Sequence, residues 1–222
     1  MLLLDSFNTI LFPKTIDLMS SDDNKKKADA LEKMRVGYIL TSHMLVYLAM
    51  ICFPILVWFI PKYMPALSSM NMIALAVLMN TNSYGYSNML IAQNKEHKAG
   101  FISAVSLIVN IILGLGLAKI LNVEYSYITI AILVAYMISS FLMAYEGDTI
   151  LRREKSVSYT LKHFFPIRMF IPYMIALIIS CTQIEYLIFI PLLVFIMLNY
   201  KDLQFLKNIA LKLIKEPEVI DV

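Results

Sequence analysis

Long apolar runs alternate with short charged ones along this chain. The spacing predicts six helical spans, near 38–60, 66–92, 100–121, 126–145, 165–181 and 185–200. Runs of ~20 residues, rising 1.5 Å each, match the ~30 Å hydrocarbon core of a bilayer. The first opens after Arg35 and closes at Pro61-Lys62, and the second starts after Pro65 and stops at Asn94-Lys95-Glu96-His97-Lys98. The third ends around Lys119 to Asn122 and the fourth at Glu146-Gly147-Asp148. The fifth and sixth form a tight hairpin turning at Thr182-Gln183, with Pro172 and Pro191 inside them. Proline is tolerated there because neighbouring helices satisfy the freed carbonyls. One large soluble core is the alternative, but several uncharged runs in series are hard to bury in it. The expected fold is all-α, a polytopic membrane helix bundle of about six transmembrane helices. Residues 1–36 read as a partial helix end plus a connector, 37–200 as the membrane lobe, and 201–222 as an amphipathic tail.

Composition sharpens this picture. The chain is 59% hydrophobic and only 16% charged, with mean hydropathy +0.71, where a soluble domain carries roughly 25% charge. Cys52 and Cys181 both fall in apolar runs and read as packing residues, so neither a disulfide framework nor a metal site is implied. Of the 19 lysines and arginines, all but Lys62 and Lys119 fall on one side of the predicted spans. The positive-inside rule then places both termini in the cytoplasm, and only an even number of spans lets those charges share a side. No cleavable signal peptide is apparent. Ser20-Ser21-Asp22-Asp23 ahead of Lys25 to Lys27 suits a helix N-terminus, so 22–36 is expected to be a cytoplasmic or interfacial helix. In the tail, Leu203, Leu206, Ile209, Ala210, Leu213 and Ile214 share one helical face, with Lys201, Lys212 and Lys215 opposite. That pattern suits a helix lying in the membrane surface, its lysines meeting anionic headgroups. A helix packed on another subunit or lobe is the alternative.

Chemistry is sparse. Inside the spans aspartate, lysine and arginine occur only near the ends, and His43 is the one histidine within a span. No second histidine or carboxylate stands three or four residues from it to make a metal site. Nothing resembles a phosphate-binding glycine loop or a nucleophile elbow. The chain therefore reads as a non-enzyme with no cofactor and no nucleic-acid partner.

The informative polar run lies in the second span, Asn80-Thr81-Asn82-Ser83-Tyr84-Gly85-Tyr86-Ser87-Asn88. It is too polar to face lipid. Either the helix bends near Gly85, or this part faces a protein interface or a watery cavity. Amides and tyrosines can hold sugar hydroxyls or phosphates without a fixed charge, while interhelical hydrogen bonding is the plainer use of asparagine and serine in membranes. Asn110, alone amid aliphatics in the third span, reads the same way. Candidate lining residues are thus Asn80, Asn82, Tyr84, Asn88, Asn110 and His43.

The layout resembles the C-terminal half of the polysaccharide lipid-flippase family, the Wzx-type O-antigen and capsule exporters of the MOP superfamily. Phe12-Pro13, a charged stretch and then Tyr38-Ile39-Leu40 look like the family's seventh helix end, connector and eighth helix. Asn88-Met89-Leu90-Ile91-Ala92-Gln93-Asn94-Lys95 is similar to a helix end where those proteins carry a leucine, a small residue and a glycine-lysine turn. Asn110 and the stretch Tyr125 to Tyr145 match in place and length. Two departures stand out: Tyr125-Ser126-Tyr127 replaces a glycine-alanine cluster, and asparagine replaces the turn glycine after Gln93.

The resemblance implies a multi-pass bacterial inner-membrane protein that moves an undecaprenyl-diphosphate-linked oligosaccharide between leaflets. Two lobes would rock about a central cavity, with Lys98 or Arg168 near its mouth attracting the diphosphate. The partners implied are a lipid-linked glycan, membrane lipids, and either a missing N-terminal lobe or a second copy, because one lobe cannot enclose that cavity. A chain starting at a helix end reads as a truncated product. The rival readings are half of a multidrug or metabolite exporter and a non-transporting membrane assembly subunit.

Overall fold

The protein is described by a computed structural model covering residues 24–152, 156–182 and 184–204. The amphipathic tail from 205 onward and the helix end at Met1 to Phe12 lie outside the described residues. What is described is all-helical. Helix α1 runs Asn24–Phe59 without a break, 36 residues with Pro54 inside. The connector helix expected to stop at residue 36 is therefore continuous with the first span. A 3₁₀ turn, Pro61–Ala66, then leads into α2, Leu67–Thr81. Its two prolines suit a tight turn that no α-helix could continue.

The second span does break where its polar run lies. After Thr81 the chain makes a turn, Gly85 takes φ 85°, and α3 resumes as Tyr86–Ala92. A positive φ is strained for any residue with a Cβ, so glycine sets the position of the break. Helix α3 ends in a Schellman pattern: the Lys95 N–H donates to the Leu90 carbonyl at 2.8 Å and the Asn94 N–H to the Ile91 carbonyl at 2.9 Å. Asn94 takes φ 54° there, which asparagine tolerates better than most side-chain-bearing residues.

Helix α4 spans Glu96–Leu115 and ends in a π turn, Gly116–Ile120. A short α5, Tyr125–Ile128, precedes α6, Ile130–Arg152. The fourth span thus continues past Glu146-Gly147-Asp148, which a sequence reading takes for its end. Helix α7, Val157–Phe164, is N-capped by Ser156, whose Oγ accepts from the Tyr159 N–H at 3.3 Å. Helix α8 is Ile167–Thr182 and α9 is Ile190–Leu198, reached through a 3₁₀ turn at Glu185–Leu187.

Among the described residues, four stretches are long and apolar enough to cross a membrane: Arg35–Phe59, Pro61–Thr81, Glu96–Ile120 and Ile130–Ile150. The predicted hairpin is shorter. Its arms of 16 and nine residues reach roughly 24 and 14 Å as helices, because prolines and a 3₁₀ turn interrupt that region.

Packing follows from these lengths. Helix α2 sits centrally, against α1, α6 and α8, while α9 closes on α8 and α1. Leu40, Tyr47, Leu75, Leu78, Tyr173 and Phe195 form the main core among them. A second core gathers Met89, Leu90, Ile102, Met143 and Phe164 where α3, α4, α6 and α7 meet. Helix α4 lies outermost, with only 11% of its apolar window buried.

Candidate functional site

The break in the second span opens a cavity of about 220 Å³. Asn80 and Thr81 reach it from the end of α2, Ser83 and Tyr84 from the turn, and Ser87 from the first turn of α3. Tyr38 of α1 closes one wall by stacking on Tyr84, ring centroids 3.8 Å apart and planes within 14°. Ser103 of α4 and Ser139 and Met143 of α6 complete the lining. All the polar groups are hydroxyls and amides that both donate and accept without carrying charge near neutral pH. Thr81, Ser83 and Ser103 already donate to nearby backbone carbonyls, so what the lining offers is directional hydrogen bonding without Coulomb attraction.

Next to the break lies a buried ionic network. Arg35, 2% exposed, sits one helical turn before Tyr38. Its Nη1 donates to the Tyr86 hydroxyl at 3.2 Å and to Glu32 at 3.3 Å. Its Nη2 donates to two backbone carbonyls, Asn82 at 3.4 Å in the turn and His163 at 3.2 Å in α7. The Tyr86 hydroxyl in turn donates to Asp148 Oδ1 at 3.1 Å, and Thr160 Oγ1 donates to Asp148 Oδ2 at 2.9 Å. Tyr86 thus bridges a buried cation and a buried anion, each held by hydrogen bonds that offset its desolvation.

Gly147 explains how Tyr86 comes so close to α6. A Cβ built there would fall 2.2 Å from Tyr86 Cδ1 and 3.1 Å from Met89 Cε. Only glycine leaves room for the ring. The network joins α1, the broken turn, α3, α6 and α7, so it fixes the shape of the break.

The structure separates the residues that sequence reasoning grouped. Asn80 and Tyr84 line the cavity. Asn82 is fully buried and contributes its carbonyl to Arg35 instead. Asn88 is buried in α3, outside the lining, and Asn110 is half-buried on α4, also outside it. His43 belongs to the core: it stacks on Phe195 at 5.5 Å and hydrogen-bonds Tyr47 through Nδ1 at 3.2 Å. Lys98 pairs with Glu146 and Arg168 with Asp202. Arg168 lines a different, apolar cleft together with Leu161, Phe165 and Ile171.

Arg35, Tyr38, Ser103, Ser139 and Asp148 escaped the sequence reading, while Ser83 and Ser87 fall in its polar run without being among the candidates named from it. Ser103 and Ser139, each a polar position in an aliphatic run, carried a weak signal. Arg35 and Asp148 stand at the edges of runs and resemble ordinary flanking charges. Among the described residues, no group of His, Cys, Asp and Glu is placed to hold a metal ion. No family model matches the chain, and no curated protein or solved structure is found similar to it.

Proposed function

We propose that this chain is a lobe of a bacterial inner-membrane transporter for lipid-linked oligosaccharides, with both termini cytoplasmic. The observation that carries the reading is the broken second helix facing a polar, uncharged cavity. Discontinuous helices that line a cavity are how transporters place polar groups at membrane depth. The hydroxyl and amide lining suits sugar hydroxyls. Its volume of about 220 Å³, below the ~300–1,000 Å³ of sites for drug-sized ligands, suits one sugar ring at a time. A full oligosaccharide would need the facing wall of a second lobe or a second copy. Arg35 and Lys98 stand at the beginnings of their apolar stretches and face residues near the end of α6, which puts both cations on one side and supports the orientation. In this reading the two shorter helices, α8 and α9, complete a lobe of about six passes.

The test is translocation of a fluorescent lipid-linked oligosaccharide in vesicles holding the full-length protein and any partner lobe. Ser139→Leu fills the polar cavity with a side chain that can neither donate nor accept. Translocation is expected to fall at least tenfold while the protein remains folded. Unchanged translocation in Ser139→Leu and in Ser87→Leu would remove the cavity from the transport path.

A further inference from the structure

A second cavity, of about 370 Å³, lies on the other side of α6. Its walls are Met79 of α2, Ile138, Phe141 and Leu142 of α6, Phe164 of α7 and Phe170 of α8. Every lining side chain is aliphatic, aromatic or methionine, so a water inside would find none of the two to four polar partners it needs. Apolar walls of this kind gain dispersion contacts from an apolar occupant. A hydrocarbon group is what they fit.

Two further features say which. First, Leu161 and Phe165 belong both to this cavity and to the neighbouring cleft, so the two adjoin. The rim of that cleft is apolar and open: Ile167 is 76% exposed and Leu161 55%. In the membrane placement proposed above, such a rim faces hydrocarbon, so the molecules that reach it are those of the bilayer. Two turns of helix, about 10–12 Å across and about 11 Å long with side chains, occupy at least twice the cavity's volume of about 370 Å³, whereas a single hydrocarbon chain is far slimmer. Second, the cleft carries one cation, Arg168, at the first turn of α8. Among the described residues its one polar side-chain partner is Asp202, bound through Nη1, and a guanidinium has five N–H donors. The remaining donors are available to an anion.

We propose that this cavity and cleft hold one anionic glycerophospholipid, an acyl chain in the cavity and its phosphate at Arg168. The lipid is a resident rather than a substrate, because its site lies across α6 from the polar cavity and shares no lining residue with it. The proposal rests on the membrane placement and stands whether or not the chain moves a glycan.

Native mass spectrometry of the protein released from vesicles of equal phosphatidylglycerol and phosphatidylethanolamine tests it. The wild type is expected to retain one phospholipid, with phosphatidylglycerol favoured about fivefold, the factor that one basic side chain near a membrane surface confers. Leu142→Trp fills the cavity and should abolish retention. Arg168→Gln, at the surface, should keep the lipid and lose the preference, and Asp202→Asn should increase it by removing a competing anion. Equal retention of both headgroups by the wild type overturns the proposal. So does undiminished retention in a folded Leu142→Trp protein. Should Leu142→Trp not fold, an unaltered preference in Arg168→Gln overturns it as well. Preferential retention of a polyprenyl phosphate added to the vesicles also overturns it, by assigning the site to the substrate.

Discussion

On α2, Met79 faces the apolar cavity while its neighbour Asn80 faces the polar one; on α6 the same division falls between Ile138 and Ser139. Each residue of a helix turns about 100° from the last, so one pair of helices keeps two chemically opposite spaces apart. Ser139 and Met143 look one way, four residues apart, and Ile138 and Leu142 the other, with the same spacing. What surrounds each space differs too. The polar cavity is framed by a helix break held in place by buried charge. The apolar one is framed by aromatic rings and by the short capped helix α7.

Arg35 serves both sides, since it holds the carbonyl of Asn82 in the break and that of His163 in α7. Arg35→Ala should therefore loosen the two cavities together. It leaves the Asn82 and His163 carbonyls without their donor, and a buried polar group that loses its partner costs about 1–3 kcal/mol. Thermal unfolding in detergent should show a large fall in Tm, and cysteine probes at Ser83 and Leu161 should both gain reactivity. Reactivity gained at only one of them would break the link between the two regions.

Gly147→Ala comes next. Its added methyl meets the Tyr86 ring, and overpacking of this kind costs about 1–3 kcal/mol. The same melting experiment reads it, and an unchanged Tm would mean that the Tyr86 ring can move aside. A smaller effect, and a sharper one for the comparison, is the crossed pair Ser139→Leu and Leu142→Trp. The first is expected to reduce transport and leave lipid retention intact; the second should do the reverse, each confirmed in one preparation by vesicle assay and mass spectrometry. Smallest of all is Glu146→Gln. Its ion pair with Lys98 is partly solvated, and such pairs contribute under about 1 kcal/mol, so Tm should move by no more than a degree or two.

Which of these features were legible in the sequence follows from how local they are. The break at Gly85 and the polar surroundings of Asn80 and Tyr84 were readable, because nine consecutive residues signal them. The existence of the first four apolar stretches was readable for the same reason, but their ends were not: α1 runs on from the connector, α2 stops at Thr81 and α6 continues to Arg152. Arg35 and Asp148 were not. Each stands at the edge of an apolar run, where a charge normally meets water, and only the fold brings both to the hydroxyl of Tyr86. Gly147, between Glu146 and Asp148, suggests a turn, yet it lies inside α6 and makes room for a ring. Asn94 takes the left-handed conformation that ends α3, which asparagine tolerates better than most residues. The apolar cavity and the α6 wall of the polar one were hidden by alternation, since residues of opposite kind in succession average out along the chain.

The network around Arg35 also bears on how the chain is made. Arg35 leaves the ribosome long before its partners: the tyrosine it binds is 51 positions away and the His163 carbonyl 128. Until α7 has been synthesised, the guanidinium lacks one of its carbonyl acceptors, and a buried charge is costly until its hydrogen bonds are complete. The burial of Arg35 can therefore be completed only after the later helices have arrived. The last step of assembly is in this sense written near the beginning of the chain.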